Sequence, residues 1–574
     1  MNSHLFLPTT IEEVRQRGWD ALDVVLVSGD SYIDSPYIGA AVIGRVLEDA
    51  GYRVGIIAQP DITSDVDITR LGGPRLMWGV TGGSVDSMVA NYTASRKKRR
   101  SDDYTPGGVN DRRPNRAVMT YTNLIRRNFK DTKPIVLGGI EASLRRVAHY
   151  DYWDDAVRRS ILFDAKADYL LYGMAERSVL KLVVALKNGA DVTDIRGLCY
   201  IAKEPPVTYL ELPSYEQVSG DKHAFIDMFH TFYKHTEPLN AQGLAQRHGD
   251  RYLVQNRPAE YLSQPEMDAV YALSYQRAQH PYYEAQGKAR ALETIRFSIN
   301  TQHGCYGECN FCSIAVHEGR TVRWRSEASV AAEAEVIARL PDFKGYILDV
   351  GGPTANMYGF ECSIKLKDGA CQDKRCIYPI VCAALKPTHA KQTALLKRLR
   401  KIPGVKKVFV SSGIRYDLVL ADGEHGDAYL KEITREHVSG QLKVAPEHSV
   451  RKVLDAMGKP GHEQLLAFKD KFDRFSQEAH KDQYLTYYLI AAHPGCTQED
   501  MYALKRFASR ELHISPEQVQ LFTPLPSTYA ALMYYTGLDP FTKKAVFVEK
   551  DAGKREKQKH IATRKPARKT RNKG

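Results

Sequence analysis

The sequence predicts an α/β protein with two successive regions of alternating strands and helices. Short apolar runs alternate with helical periodicity from residue 23 to about residue 173, which predicts a doubly wound parallel sheet. Six further strand–helix repeats follow between residues 295 and 526. The chain has 574 residues, of which 43% are hydrophobic and 26% charged, a composition typical of globular domains that bury their own cores.

Five apolar runs predict the strands of the first sheet. The run at residues 24–27 contains only valine and leucine, as expected for a parallel strand that is buried on both faces. Ligands of such sheets bind beyond the carboxyl ends of the strands, so the loops that follow the strands are candidate binding segments. The predicted strands are 24–27, 54–57, 76–80, 134–139 and 169–173, and the candidate loops are 29–36, 81–86 and 138–143.

The second region holds six predicted strands, and polar, glycine or proline residues follow each of them. These strands are residues 295–300, 346–350, 408–411, 442–444, 484–490 and 519–522. The expected domains are residues 1–195 for the doubly wound α/β domain, 196–290 for a mostly helical connector, 291–530 for the six strand–helix repeats and 531–574 for a C-terminal extension.

The net charge of +13 is concentrated at the C-terminus. Residues 550–574 hold eleven lysines and arginines against two acids, which predicts a disordered basic tail. Such a tail can bind RNA through phosphate contacts or can simply keep the protein in solution, and both interpretations stay open. The long basic loop at residues 96–116 allows the same two interpretations.

The composition also predicts the compartment. The sequence has no apolar run of about 18 residues, and Met1–Arg15 lacks the apolar core of a signal peptide. Its nine cysteines are an odd number gathered mainly in one region, which does not suggest a disulfide framework. We therefore expect a cytoplasmic protein without a membrane partner, whose cysteines act as metal ligands in a reducing compartment.

Three cysteines stand at C-x3-C-x2-C spacing directly after a predicted strand. They are Cys305, Cys309 and Cys312. Thiolates on one short loop can hold three corners of a cubane iron–sulfur cluster, and most such clusters take four cysteines. The next cysteine is Cys362, so one iron would be open to another ligand. The alternative is a zinc knuckle, but zinc sites favour two separated C-x2-C pairs.

A second group of cysteines follows, with spacings that fit no common zinc pattern. Its members are Cys362, Cys371, Cys376 and Cys382. Together with His389 they could bind zinc or an auxiliary cluster, and the other interpretation is a set of reduced structural thiols. The sequence leaves both interpretations open.

The motif at residues 305–312 resembles the radical S-adenosylmethionine (radical SAM) signature C-x3-C-x-aromatic-C, with Phe311 as the aromatic residue. The stretches at 39–60, 351–358 and 443–448 look like the YgiQ family of that superfamily, and the likeness spans about residues 20–545. The resemblance implies a cobalamin-binding-like N-terminal domain and a partial (β/α)6 radical SAM barrel.

The resemblance also implies cofactors and a reaction. A [4Fe-4S] cluster would bind S-adenosylmethionine at its open iron and cleave it reductively to a 5′-deoxyadenosyl radical, which abstracts hydrogen from a substrate. The substrate is unknown, and the electron donor would be a protein such as flavodoxin or ferredoxin. Two alternatives stay open, namely an RNA-modifying radical SAM enzyme that uses the basic tail, and a non-catalytic iron–sulfur or zinc-binding protein.

Several residues match positions that bind S-adenosylmethionine in the superfamily. Phe311 would flank the adenine, and Gly351 and Gly352 occupy the place of a Gly-Gly-Glu motif whose backbone carbonyls accept the methionine ammonium. Ser411 suits the ribose, and Arg415 suits the methionine carboxylate through a charged fork.

One departure concerns cobalamin. In the cobalamin-binding relatives the first loop has the pattern D-x-H-x-x-G, and its histidine ligates cobalt. The matching loop here begins at Asp30, with Tyr32 at the histidine position and Ser35 at the glycine position. A phenolic oxygen is a poor substitute for imidazole on cobalt. We therefore expect the shape of the domain without a His-ligated cobalamin.

Overall fold

The structure is a computed structural model that describes residues 5–563. The strands of its N-terminal half are β1 Val24–Ser28, β2 Ile33–Asp34, β3 Val54–Ala58, β4 Met77–Thr81, β5 Ile135–Gly138, β6 His149–Asp151, β7 Ala156–Arg158, β8 Tyr169–Leu171, β9 Leu198–Ala202, β10 Leu210–Leu212, β11 Leu244–His248, β12 Arg251–Gln255 and β13 Ala278–Gln279. Nine of them form one sheet in the order β10-β11-β12-β9-β8-β5-β4-β1-β3. Strands β3, β1, β4, β5 and β8 pair in parallel, which confirms the predicted parallel sheet.

Helices cover both faces of this sheet. They are α1 Ile11–Gln16, α2 Gly39–Asp49, α3 Val66–Thr69, α4 Ser87–Asn91, α5 Ala117–Asn128, α6 Gly139–Ser143, α7 Ile161–Ala165, α8 Glu176–Asn188, α9 Tyr215–Gly220, α10 Lys222–Lys234, α11 Gln264–Ala272 and α12 Pro281–Glu284. Alternate residues of β1 lie on opposite faces of the sheet. Val25 and Val27 therefore join a core with α5, whereas Val24 and Leu26 join a core with α2 and α8.

The interval 196–290, expected to be a mostly helical connector, also contains four strands of the large sheet. Strand β9 pairs with β8, and the hairpin of β11 and β12 extends the sheet beyond it. The expectation missed the two-residue connection Gly249-Asp250 between two strand-like runs, which is a hairpin signal. The sheet continues past residue 195, and the division of the chain into domains stays a prediction.

The basic segment 96–116 is a long loop whose arginines are used within the protein. Arg113 is buried and donates hydrogen bonds to Asp30 at 2.8 Å and to Asp102 at 2.9 Å. Arg116 pairs with a neighbouring aspartate at 2.8 Å. Because these guanidinium groups already have carboxylate partners, they hold the loop in place instead of offering free cations to a nucleic acid.

The C-terminal half contains a strand in each of the six predicted regions: three are shorter than predicted, one is divided in two, and the fourth and fifth are longer. Its strands are β14 Ser298–Asn300, β15 Gln302–His303, β16 Arg323–Trp324, β17 Tyr346–Ile347, β18 Asp349–Gly351, β19 Lys407–Val408, β20 Gln441–Glu447, β21 Tyr484–Ala491 and β22 Gln520–Leu521. Its helices are α13 Ala291–Ile295, α14 Ile314–His317, α15 Glu327–Ala338, α16 Ser363–Asp368, α17 Ala390–Leu399, α18 Tyr416–Ala421, α19 Gly426–Glu432, α20 Arg451–Met457, α21 His462–Glu478, α22 Gln498–Arg510, α23 Tyr529–Thr536 and α24 Ala552–Thr563.

Neighbouring predicted strand regions of this half pair in parallel, whereas β15 and β16 form an antiparallel pair beside them. Strand β14 pairs with β18, β17 pairs with β19, and β21 lies between β20 and β22. A single parallel bridge between Ile414 and Val444 links the third predicted strand region to the fourth. Helices α15, α17 and α21 pack on these strands in one apolar core. The carboxyl ends of the strands therefore lie on one side, where the loops can form a site.

The C-terminal segment departs from the expected disordered tail. Residues 552–563 form α24, in which Arg555, Gln558, Ile561 and Ala562 are buried. Arg555 donates to the carbonyl oxygen of Ala94 at 3.1 Å and also to the carbonyl oxygen of Phe522. The high net charge of this segment gave no sign of its buried face. The rest of the predicted tail, residues 564–574, lies outside the described residues. Among the residues described, no helix has the length and apolar character needed to cross a membrane.

Candidate active site

The cysteine loop leaves the first strand region of the C-terminal half and ends where α14 begins. The three thiols are partly shielded, and none forms a disulfide. The backbone N–H of Gly307 donates to Cys305 Sγ at 3.3 Å, and Arg415 Nη1 donates to Cys309 Sγ at 3.7 Å. Both groups are hydrogen-bond donors of the kind that a ligating sulfur accepts.

The backbone of Gly307 lies against two of the sulfur atoms. A Cβ atom at this position would lie 3.2 Å from Cys305 Sγ, 3.5 Å from Cys309 Sγ and 3.3 Å from Arg415 Nη1. Two thiols and a guanidinium therefore converge on Gly307, and we call these four residues the sulfur cradle. An iron–sulfur cluster, whose sulfide and thiolate sulfurs accept hydrogen bonds, fits a cradle of this composition.

The electrostatics of the loop suit ligation to a cationic centre. Burial raises the pKa of the Cys305 and Cys312 thiols, and the neighbouring Cys309 raises both further. Within residues 5–563, no three His, Cys, Asp or Glu side chains converge closely enough to hold a single metal ion. A cluster does not need such convergence, because each thiolate binds a different iron. The donor set therefore fits a cluster better than one zinc ion.

Arg415 is fixed in place by Asp417. Its Nε donates to Asp417 Oδ1 at 2.9 Å, and its Nη2 donates to Asp417 Oδ2. Although burial acts to raise the pKa of Asp417, the guanidinium holds that pKa below its usual value. Asn356 accepts the Arg415 backbone N–H at 2.8 Å. Arg415 therefore lies beside the cysteine loop, with Nη1 directed at Cys309.

The Gly351-Gly352 pair forms the carboxyl end of β18, next to the strand that leads to the cysteine loop. The carbonyl oxygen of Gly351 accepts the Thr301 N–H at 2.7 Å. A Cβ on Gly352 would lie 2.7 Å from the carbonyl oxygen of Gln302, so only glycine permits this close approach. In the same loop, Thr354 Oγ1 lies 3.7 Å from Cys305 Sγ. The glycine pair is thus brought next to the thiols.

The serine pair after the third strand region is anchored to Asp349. The N–H groups of Ser411 and Ser412 donate to Asp349 Oδ1 at 2.7 and 3.1 Å. The Ser411 hydroxyl donates to the carbonyl oxygen of Leu348 at 2.7 Å, whereas Ser412 lines the central cavity. The structure therefore brings Ser412 closer to an open site than the predicted Ser411.

Phe311 does not line the central cavity. Its ring meets that of His493 edge to face, with centroids 6.1 Å apart. The adjoining Asn310 anchors the loop, because its N–H donates to the Met457 carbonyl and its carbonyl accepts the Ala530 N–H. Helices α20 and α23 thus fix the loop next to Phe311.

A cavity of about 470 Å³ lies between the two halves of the chain. One part is a slot between the large sheet and helices α2 and α8, with apolar walls that include Leu26, Val42, Met77, Val136 and Val179. The other part reaches the ends of β14 and β18, where Asn300, Asp349, Gly351, Gly352 and Ser412 line it. All three predicted loops, 29–36, 81–86 and 138–143, contribute lining residues, so the strand-end argument located this cavity correctly.

Sequence reasoning missed the polar groups at the centre of the cavity. Glu176 and Glu318 both line it, as do Asn300 and His317. Within the described part of the chain, Glu176 Oε2, Asn300 Oδ1 and His317 Nδ1 are buried without a hydrogen-bond partner. Burial raises the pKa of Glu318 to about 7, with a further contribution from Glu176. Glu176 follows the fifth predicted strand, so the strand-end argument extended by one loop finds it.

Tyr32 does not line the cavity. Its ring stacks on His280 with centroids 5.5 Å apart, and its hydroxyl oxygen accepts the Leu7 N–H at 3.1 Å. Tyr32 is thus a core residue behind the first loop. Asp30, at the start of the same loop, is held by Arg113 and by the N–H of Ser84 at 2.6 Å.

The second group of cysteines shows no common centre. Lys365 Nζ donates to Cys376 Sγ at 3.6 Å, and burial raises the pKa of Cys376 to about 11. His389 is occupied by Asp422 at 2.8 Å and by Asn356 at 3.1 Å. Across the described residues no three of these groups converge on a single-metal position, and the auxiliary cluster and the structural thiols both stay open.

Comparison with known proteins identifies the family. A family model described as "Radical SAM N-terminal" matches residues 6–298, just over half of the chain. A "UPF0313 protein" of Fusobacterium nucleatum is 56% identical over 561 residues, which cover 98% of this chain and 99% of that protein. The chain belongs to the UPF0313 family of radical SAM proteins. The UPF0313 protein of Thermotoga maritima is 48% identical to it over 558 residues, covering 97% and 98% of the two chains. The expected superfamily membership is thereby confirmed.

Two solved structures are also similar to the UPF0313 chain. The radical S-adenosylmethionine methyltransferase TsrM from Kitasatospora setae, with cobalamin and a [4Fe-4S] cluster bound, has a TM-score of 0.48 and 16% identity, covering 88% of this chain and 77% of that chain. The cobalamin-dependent S-adenosylmethionine radical enzyme OxsB, with aqua-cobalamin and S-adenosylmethionine bound, has a TM-score of 0.49 and 11% identity, covering 87% and 53%.

Proposed function

We propose that this protein is a radical SAM iron–sulfur enzyme that cleaves S-adenosylmethionine reductively and abstracts hydrogen from a substrate in the central cavity. The observation that carries the proposal is the sulfur cradle, in which the Cys305 and Cys309 thiols and the Arg415 guanidinium converge on Gly307. Membership of the superfamily supports the same chemistry. The six parallel-paired strand regions would form the partial (β/α)6 barrel that presents the cradle to the cavity.

The residues of the loop would hold a [4Fe-4S] cluster through Cys305, Cys309 and Cys312. When bound, a cluster with one open iron supplies the electron that converts S-adenosylmethionine to a 5′-deoxyadenosyl radical. The Gly307 N–H and Arg415 Nη1 would stabilise the thiolates by donating to their sulfurs. Asp417 would keep Arg415 oriented for that purpose.

The contacts to S-adenosylmethionine are proposed residue by residue. Gly351 and Gly352 would present backbone groups to the methionine moiety, since both line the cavity beside the cysteine loop. Arg415 would reach the methionine carboxylate through Nη1, because Asp417 occupies its other nitrogens. Ser411 would accept a hydrogen bond from the ribose, with Ser412 beside it. Phe311 would flank the adenine.

Three further proposals concern the surroundings of this reaction. The electron would come from a reduced carrier such as flavodoxin or ferredoxin, and the enzyme would work in the cytoplasm. A His-ligated cobalamin is not part of the proposal, because Tyr32 replaces the ligand histidine and its hydroxyl meets the Leu7 N–H in the core. Two cations of the expected RNA surface, Arg113 and Arg555, are buried within the fold, whereas residues 97–100 are exposed, and no contact of the described residues favours RNA modification.

Anaerobic reconstitution with iron and sulfide tests the proposal. Reduced by dithionite and given S-adenosylmethionine, the protein should release 5′-deoxyadenosine. Cys309→Ala should abolish the product, whereas Cys199→Ala, which removes a buried thiol of β9, should retain it. A fully loaded and reduced wild-type protein that forms no 5′-deoxyadenosine would contradict the proposal, as would a loop that holds zinc alone.

A further inference from the structure

The central cavity is acidic as well as apolar. Four carboxyl groups line it, those of Asp30, Glu176, Glu318 and Asp349. Among the described residues that line it there is no lysine and no arginine. A cavity with negative groups and low-dielectric walls attracts cations and repels anions. The charge of the cavity therefore restricts the molecules that can enter it.

Two of the four carboxyl groups already have protein partners. Asp30 accepts hydrogen bonds from Arg113 at 2.8 Å and from the Ser84 hydroxyl at 2.7 Å. Asp349 accepts the N–H groups of Ser411 and Ser412, which order the loop behind it. These two carboxylates are therefore satisfied by the fold and need no ligand.

Glu176 and Glu318 are different. Glu176 is only 4% exposed, and its Oε2 has no hydrogen-bond partner in the described part of the chain. Glu318 accepts the Gly304 N–H at 3.1 Å. A buried carboxyl oxygen without a partner carries a desolvation cost that a ligand donor would remove. The unpaired oxygen of Glu176 thus marks a place for a hydrogen-bond donor that the protein does not supply.

The remainder of the cavity fits a hydrocarbon body. The slot between β1, β4 and β5 on one side and α2 and α8 on the other is lined by Leu26, Ile43, Met77, Val136 and Val179. Its volume of about 470 Å³ lies in the range of small-molecule sites. Burial of apolar ligand surface there would contribute about 25 cal/mol per Å².

We infer that the substrate of the proposed enzyme is an apolar amine, with its ammonium group beside Glu176 and Glu318 and its hydrocarbon body in the slot between the sheet and helices α2 and α8. The reaction that the amine would undergo rests on the proposed function, whereas the binding of the amine is inferred from the lining of the cavity alone. A carboxylate or phosphate head group could not donate a hydrogen bond to the unpaired oxygen of Glu176, so we expect substrates with such a head group to bind more weakly.

Three probes with one hydrocarbon body and different head groups test this inference. Binding of 4-phenylbutylamine, 4-phenyl-1-butanol and 4-phenylbutyrate to the reconstituted full-length protein is measured by isothermal titration calorimetry. The amine should bind at least tenfold more tightly than the alcohol, and the butyrate should bind most weakly. Butyrate binding equal to or tighter than that of the amine, or no binding by any probe, would overturn the inference.

Two variants locate the binding. Glu176→Gln keeps the shape of the side chain and should reduce the amine's advantage over the alcohol to less than threefold. Ala40→Phe adds bulk to the slot from α2, where Ala40 lines the cavity, and should weaken amine and alcohol alike. An undiminished preference for the amine in Glu176→Gln would overturn the placement of the ammonium group.

S-adenosylmethionine carries an ammonium group of its own, which can pair with a carboxylate. A competition experiment therefore separates the amine site beside Glu176 from the site of S-adenosylmethionine. Excess S-adenosylhomocysteine should leave the amine probe bound, because Glu176 belongs to α8 and the glycine pair to β18. Competitive displacement would overturn the inference. The 5′-deoxyadenosine assay on wild-type protein tests the proposed function separately, since the probe measurements need no turnover.

Discussion

Replacement of Gly307 by alanine probes the sulfur cradle most sharply. The added Cβ would lie 3.2 Å from Cys305 Sγ, 3.3 Å from Arg415 Nη1 and 3.5 Å from Cys309 Sγ, so it would press on groups that would hold the proposed cluster. Overpacking of this kind costs about 1–3 kcal/mol. Since about 1.4 kcal/mol corresponds to a factor of ten, the affinity for the cluster should fall by about 5- to 150-fold.

The assay for this variant is anaerobic reconstitution with limiting iron and sulfide, followed by competition with a chelator and measurement of iron per chain. Gly423→Ala is the matched control, because its added Cβ meets no atom within 4 Å. Thermal unfolding of both apo variants separates a local effect from a loss of folding. If a folded Gly307→Ala protein retained as much iron per chain as the wild type, the role given to the cradle would be refuted.

Three further substitutions test the electrostatics of the fold and site. Arg555→Met removes the donor to two buried carbonyl oxygens and should lower the free energy of unfolding by about 2–6 kcal/mol, measured against Lys557→Met on the exposed side of α24. Arg415→Met leaves Asp417 buried without its partner, so we expect the free energy of unfolding to fall by about 3–5 kcal/mol. The double variant Arg415→Met/Asp417→Leu should show no such fall. His248 has its pKa lowered to about 4, chiefly by burial, so the unfolded chain binds more protons between about pH 6.5 and pH 4 and stability falls as the pH falls through that range. His248→Phe should keep the ring contacts and flatten the dependence of the thermal midpoint on pH, and an unchanged slope would contradict the assignment.

The parts that could be predicted from the sequence are those encoded by neighbouring residues. The run at 24–27 is apolar on both faces and forms β1 in the parallel sheet. The three cysteines lie within one short loop, so their proximity needs no knowledge of the fold. The strand-end rule also predicted the loops 29–36 and 138–143 as binding segments, and both line the cavity.

The parts that could not be predicted depend on contacts between distant segments. Glu176 and Asn300 belong to different halves of the chain, and their unpaired oxygens become significant only when packing encloses them in one cavity. Arg555 lies in a segment with the composition of a solvated tail, yet its side chain is buried and donates hydrogen bonds to two distant carbonyl oxygens. The hairpin at Gly249-Asp250 was predictable in principle, because its signal is local.

The central claim is that a cluster held by Cys305, Cys309 and Cys312 leaves one iron open to S-adenosylmethionine. Electron paramagnetic resonance of the dithionite-reduced, reconstituted protein tests it most directly, with spectra recorded before and after the addition of S-adenosylmethionine. We predict the signal of a reduced [4Fe-4S] cluster whose g-values shift when S-adenosylmethionine is added. A cluster signal that stays identical at saturating S-adenosylmethionine, or the same signal in a Cys309→Ala variant, would contradict the account.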